Sequence, residues 1–310
     1  MDTSIQEIKN NSFSWVHVPM PSQKQVQEIS LRFGLHPLDA QDILPPLQRP
    51  KLENRDQYLF LILLFPIYNR ATGKISPIEV DIAVGKDFLF TTSSSTLFAL
   101  DQLFREHFPG KKKKTPQHVL PNSPSILLYK VLSTLEHYCY PMITHISNDI
   151  DAIEANIFEV KKIENINEVL RIKTNIVNFR KAMNRHTRVI KQLIEKAERL
   201  FPVEELSLYF NDLVEHTEDI WGMLENFSDT IDAIHESHVS LLNLRSNQIM
   251  QRFTLFTSII FSLTLVATLL ATRAPSTPFI DWPFGFWWIA VLMGFMGGVM
   301  LVFYKLRKWM

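Results

Sequence analysis

Every residue from Phe253 to Thr272 is uncharged and most are apolar, and after an eleven-residue gap the same holds from Phe284 to Tyr304. Each run is long enough to cross a bilayer as a helix, so the chain is read as a membrane protein whose two spans lie at its C-terminal end. About 250 residues precede the first span, enough for an extramembranous portion with its own core. No apolar leader with a cleavage site occupies the first 30 residues, so that portion is expected in the cytoplasm. Arg245 and Arg252 precede the first span and Lys305-Leu306-Arg307-Lys308-Trp309-Met310 follows the second, whereas the intervening loop holds only Arg273 and Asp281. This bias puts both termini on the cytoplasmic side of an inner (plasma) membrane. Trp282, Trp287, Trp288 and Trp309 suit the headgroup zone around the second span.

The first 130 residues read as a small α/β domain. Trp15–Val18, Tyr58–Phe65, Glu79–Val84 and Phe88–Thr92 are runs of strand formers separated by Pro, Asn and Gly turns, and Ser22–Phe33 reads as a helix with Ser22 as its cap. Lys111–Lys114 is read as a solvated loop. A net charge of zero and the lack of interleaved aromatics give no support for a nucleic-acid partner. A single cysteine, Cys139, excludes a disulfide framework and fits a reducing compartment.

From Met142 no Pro or Gly occurs before Pro202, and from Val203 to Ala274 there is no Pro and only Gly222. Long helices are expected. Asp149–Glu168 carries six acids and two bases, Arg171–Arg199 nine bases and two acids, so the halves are expected to pair as a helical hairpin. Val203–Ser240 holds ten acids and no Lys or Arg. Its apolar stripe, Leu206, Phe210, Leu213, Thr217, Ile220, Leu224, Phe227, Ile231, Ile234, His238 and Leu241, alternates spacings of four and three. With no breaker before the first span, one stalk helix of roughly 70 residues, about 100 Å long, is expected to run from this stripe into the membrane.

Within the span, Met250, Phe253, Thr257, Phe261, Thr264 and Thr268 recur at spacings of three or four. The hydroxyls of Thr257, Ser258, Ser262, Thr264 and Thr268 either bond the helix's own carbonyls four residues back or a neighbouring helix, or line an aqueous path in an oligomer, with Phe253 and Phe261 as apolar constrictions. Gly294, Gly297 and Gly298, with one Gly-x-x-x-Gly pair, read as packing material against the first span. His235 and His238, at i, i+3, form a conceivable soft-metal pair, though two histidines are more often packing or solvated residues. No hydrolase, kinase or nucleotide-loop signature is present, so the chain is expected not to be an enzyme and to need no organic cofactor.

Trp15-Val16-His17-Val18-Pro19, Phe33-Gly34-Leu35-His36-Pro37-Leu38, Gln48-Arg49-Pro50-Lys51-Leu52-Glu53, Asn247-Gln248-Ile249-Met250 and the tail from Tyr304 together resemble the CorA family of divalent-cation channels and transporters. The resemblance covers essentially the whole chain. It implies an α+β cytoplasmic domain joined to a very long stalk helix, with two C-terminal transmembrane helices, in a funnel-shaped homopentamer. The expected segments are a cytoplasmic α/β domain (1–130), hairpin and stalk (131–252), transmembrane helix 1 (253–272), an outer loop (273–283), transmembrane helix 2 (284–304) and a basic tail (305–310). The resemblance also implies a pore lined by the first span, with Asn247 joining Met250, Phe253, Thr257, Phe261, Thr264 and Thr268. Its cargo would be magnesium, cobalt, nickel or zinc, and divalent ions would also regulate it through paired aspartates of neighbouring subunits. Asp212 falls where one aspartate is expected; the other position falls near Phe98 and Ala99, with Asp101 close by.

One departure bears on selectivity. The family carries Gly-Met-Asn at the outer end of the first span, where this chain has Ala271-Thr272-Arg273. Five guanidiniums, each about 7 Å from an axial dication, would repel it by roughly 6 kcal/mol in unscreened water. Salt and splayed side chains would reduce that to about a third. Three readings follow: a divalent-cation transporter, the same architecture with altered selectivity (anions or weakly selective flux) set by Thr272 and Arg273, or a non-conducting sensor.

Overall fold

The computed structural model describes residues 5–10, 12–107, 120–156, 164–271 and 283–307. The chain divides into two compact units, Met1–Ile234 and His235–Met310. Lys111–Lys114, Thr272, Arg273, Asp281 and the last three residues lie outside the described residues.

The first unit is built on a six-stranded sheet. Its strands are β1 (Gln6–Lys9), β2 (Ser14–Pro19), β3 (Lys51–Asn54), β4 (Tyr58–Asn69), β5 (Lys74–Gly85) and β6 (Phe88–Ser93), in the order β1-β2-β6-β5-β4-β3. Only β2 and β6 run parallel; the other neighbours are antiparallel. The four apolar runs seen in the sequence are the central strands. β1 and β3 are short and charged, as edge strands that must resist further pairing tend to be, and their composition hides them from a reading by hydrophobic pattern.

Tyr58-Leu59-Phe60-Leu61-Ile62-Leu63 of β4 is buried without alternation. A strand is uniformly apolar when both its faces are covered. One face, with Tyr58, Phe60 and Ile62, joins Val16, Val18 and Phe90 in a core with Val26 and Ile29 of helix α1 (Gln23–Phe33) and Ile43, just past helix α2 (Pro37–Asp42). The other face is covered by helices α4 (Pro124–Asn156) and α5 (Glu164–Met183), while α6 (His186–Ala197) touches β3 and β4. Helix α3 (Phe98–His107) sets Phe104 edge-on to Trp15 of β2, with ring centroids 4.9 Å apart.

Ser22 caps α1 as expected, in a capping box with Gln25. The helix stops at Gly34, whose φ of 64° is readily adopted without a Cβ. Asp39 on α2 is fully buried and takes both hydrogen bonds of a guanidinium fork from Arg55, together with a 2.6 Å bond donated by the Tyr58 hydroxyl. Burial, then the bond to Asp39, pushes the Tyr58 phenol up to about 12.

Helix α4 begins well before Met142 and passes through Pro141. An interior proline costs about 3 kcal/mol. The buried row Leu128, Val131, Leu132, Leu135 and Cys139 offsets it by packing along one face.

Helix α7 runs unbroken from Val203 to Ala271, 69 residues, as the absence of breakers demands. In the first unit, Phe210, Leu213, Thr217, Ile220, Leu224, Ile231 and Ile234 are its buried stripe. The basic segment meets acids on two sides. Arg171 pairs with Asp149 of α4 at 3.1 Å, whereas Lys173 and Lys191 reach Asp232 and Glu218 of α7 at 2.6 and 2.8 Å. The charge halves of the expected hairpin are therefore joined at Arg171, and the stalk takes a share of the bases.

In the second unit the C-terminal part of α7 accompanies α8 (Gly285–Leu306). Both are long and apolar enough to cross a membrane. On α8 the half-buried residues are Ile289, Met293, Met296, Gly297, Met300 and Tyr304, one face at spacings of three and four. A Cβ on Gly297 would meet Leu263 at 3.6 Å, while one on Gly294 or Gly298 would meet nothing within 4 Å. The Gly-x-x-x-Gly pair is thus not the surface that meets α7, a correction to the sequence reading: motif spacing shows that two glycines share a face but not which neighbour that face meets.

Candidate ion pathway and regulatory aspartates

Partial burial of α7 in the second unit selects Leu255, Ser258, Ile259, Ser262, Leu263, Val266, Ala267 and Leu270. This is the α8-facing side. The expected pore stripe, Asn247, Met250, Phe253, Thr257, Phe261, Thr264 and Thr268, is exposed at every position and lies on the opposite side of the helix. Phe253 and Phe261 are 66% and 73% exposed, so their rings project from the unit rather than into it.

The hydroxyls do what single helices in apolar surroundings require. Thr257 donates to the Phe253 carbonyl at 2.9 Å and Thr264 to that of Ile260 at 2.7 Å; Thr268 bonds back to the Thr264 carbonyl. The proton of each hydroxyl is thereby placed, and its oxygen lone pairs remain on the exposed face. The bonds to the helix's own carbonyls are thus present, and each back-bonded threonine still presents an acceptor oxygen on the exposed face. Met250, Phe253, Thr254, Thr257 and Phe261 line a shallow groove along this side, bounded by Ser258 and Ser262 where it meets the α8-facing side.

Asp212 lies on the face of α7 toward α4, with its side chain 44% exposed. The Tyr129 hydroxyl donates to its Oδ2 at 2.9 Å, and His216 Nε2 stands 3.5 Å from its Oδ1. The other ring nitrogen of His216 is 3.1 Å from the Tyr140 hydroxyl. Burial raises the Tyr129 phenol, and the bond to Asp212 raises it further.

Asp101 sits on α3, where His17 Nε2 bonds its Oδ1 at 2.9 Å; the other ring nitrogen of His17 contacts Thr91. Its side chain is only 12% exposed. Asp101 is thus anchored to the sheet through His17, and Asp212 to α4 through Tyr129. No three His, Cys, Asp or Glu side chains among the described residues form a metal cage, and His235 and His238 are no exception. The anchoring partners His17 and Tyr129 escape a sequence reading because their contacts span 84 and 83 residues, whereas His216 stands at i+4 from Asp212, a local spacing that the sequence does show.

A sheet covered by helices on both faces, a 69-residue helix and a second long apolar helix define a membrane protein with two C-terminal transmembrane helices and an α+β domain before them. The chain belongs to the family described as CorA-like Mg2+ transporter protein, which it matches over residues 10–308, and is a transporter rather than an enzyme. It is 25% identical over 288 residues to the cobalt/magnesium transport protein CorA of Thermotoga maritima, covering 92% of this chain and 80% of that one. The complete structure of the CorA magnesium transporter from Methanocaldococcus jannaschii superposes with a TM-score of 0.85 at 19% identity, over 99% of this chain and 94% of that one. The full-length CmaX protein superposes with a TM-score of 0.73 at 17% identity, covering 98% and 91%.

Proposed function

We propose that the protein is a homopentameric channel for divalent metal cations, magnesium foremost, with cobalt, nickel and zinc as further cargo. In this reading residues 1–252 are cytoplasmic, 253–272 and 284–304 cross the inner (plasma) membrane, and both termini face the cytoplasm. The observation that carries it is the exposed stripe of Phe253, Thr257, Phe261, Thr264 and Thr268 on the side of α7 away from α8. Five such stripes around an axis would give alternating rings of acceptor oxygens, which replace part of a cation's water shell, and of phenylalanines, which dewet a closed pore. The relatives' names support the cargo class.

Asp212 and Asp101 of adjacent subunits are the regulatory pair in this reading. Asp101 is bonded by His17 at Oδ1, and Asp212 is bonded by Tyr129 at Oδ2 with His216 3.5 Å from Oδ1; a divalent ion between subunits would take Oδ2 of Asp101 and compete with the looser His216 contact at Oδ1 of Asp212. A cation bridging two carboxylates would hold neighbouring cytoplasmic domains together, and its loss would release them.

Arg273 favours a second reading, in which the architecture is retained and the selectivity is changed, because five fixed cations at the outer mouth oppose capture of a dication. Flux into liposomes, followed with magnesium-, zinc- and chloride-sensitive dyes, separates the two. Uptake of magnesium that rises on Arg273→Asn, most at low ionic strength, supports cation transport with Arg273 as a brake. Chloride flux in place of magnesium flux supports changed selectivity, and no flux of any ion overturns both.

A further inference from the structure

At the end of the spans that carries Arg252, a cavity of about 340 Å³ is lined by Arg252, Leu255, Phe256 and Ile259 of α7 and Tyr304 of α8. The four residues of α7 follow at i, i+3, i+4 and i+7, one face of the helix with a guanidinium at its first position and hydrocarbon beyond it. Tyr304 supplies the opposite wall, next to Lys305 and three residues before Arg307. The cavity is therefore amphipathic along its length, basic at the membrane boundary and apolar toward the membrane interior.

Charge in this unit is one-sided. From His235 to Met310 the only acids are Glu236 and Asp281, against Arg245, Arg252, Arg273, Lys305, Arg307 and Lys308, and of the described bases Arg245, Arg252, Lys305 and Arg307 belong to the Arg252 end. Among the described residues no carboxylate stands within ion-pair distance of Arg252. Arg307 lies with its guanidinium 5.8 Å over the Phe303 ring.

We infer that this cavity is a binding site for an anionic phospholipid, with the phosphodiester at Arg252 and Tyr304 and the upper part of an acyl chain along Leu255, Phe256 and Ile259. The volume is in the range of small-molecule sites. A free phosphate would leave three apolar side chains of the lining unused, and a zwitterionic lipid would bring its ammonium beside Arg252. Only a lipid with net negative charge satisfies both ends, and basic clusters at the membrane boundary recognise such lipids at about 1 kcal/mol per side chain.

The test is native mass spectrometry of the full chain in detergent with dioleoylphosphatidylglycerol, dioleoylphosphatidylcholine or inorganic phosphate as probe. The wild type should retain phosphatidylglycerol in preference to phosphatidylcholine. Arg252→Gln should reduce that preference about fivefold, the equivalent of about 1 kcal/mol, with phosphatidylcholine retention unchanged. Arg252→Lys, which keeps the charge, should retain the preference in an oligomer of unchanged size. Equal retention of the two lipids by the wild type, an undiminished preference in Arg252→Gln, or displacement of phosphatidylglycerol by inorganic phosphate alone would each overturn the assignment. The readout is binding, so a chain that conducts no ion still tests it.

Discussion

Thr217 of α7 has its hydroxyl oxygen 2.7 Å from Glu136 Oε1 on α4 and 2.8 Å from the Leu213 carbonyl. One hydroxyl proton serves only one acceptor. If it goes to the carbonyl, the short contact to Glu136 requires a proton on the carboxyl, and burial supplies the reason, raising that carboxyl from the ordinary 4.5 to about 8. With the hydroxyl proton on the Leu213 carbonyl, the stalk meets α4 through a protonated glutamic acid at pH below about 8.

The pH dependence follows from that raised value. The unfolded chain ionises Glu136 near 4.5 while the folded chain keeps it protonated to about 8. The contribution is fully present below 4.5, declines between the two values and is gone above about 8, with a slope of at most about 1.4 kcal/mol per pH unit. Glu136→Gln should remove that slope from a plot of thermal stability against pH. A variant whose profile parallels the wild type between pH 5 and 8 would show that Glu136 is already ionised in the fold.

Asp39 is fully buried against Arg55 and Tyr58. Asp39→Ala should lower stability by about 3 kcal/mol, since it removes the carboxylate that both the Arg55 guanidinium and the Tyr58 hydroxyl bond. Denaturant unfolding of the solubilised protein measures it, and a loss under about 1 kcal/mol would mean that water replaces the carboxylate.

Asp212 should contribute to magnesium binding. Titration calorimetry is expected to show binding that weakens in Asp212→Ala. Tyr129→Phe should strengthen it by up to about 1 kcal/mol, because the phenol no longer competes for Oδ2. Unchanged binding in Asp212→Ala would remove this residue from the regulatory pair.

Phe253 and Phe261 should set the basal leak. Replacing either with Ser puts a hydroxyl on the exposed stripe where an apolar ring stood, and the closed state should pass more ions in flux recordings. If neither variant leaks more than wild type, the axis of the pore lies along another face of α7.

The sequence by itself determined the elements whose causes are local. Two uncharged runs specify the membrane helices, the lack of Pro and of any Gly but Gly222 from Val203 to Ala271 specifies α7, and Ser22 with Gln25 and Gly34 specifies both ends of α1. It also specified which residues share a face, because 3.6 residues per turn is a property of the helix alone. Tertiary structure decided which neighbour each face meets. Gly297 rather than the Gly294–Gly298 pair touches Leu263, Lys173 and Lys191 reach the stalk, and Asp101 is held by His17, 84 residues away. The polar edge strands β1 and β3 exist only because a neighbouring strand offers them a ladder, and α4 continues through Pro141 because its buried row outweighs the lost hydrogen bond. A spacing rule carries no information on long-range partners, since packing free energy depends on what the rest of the chain brings to the other side.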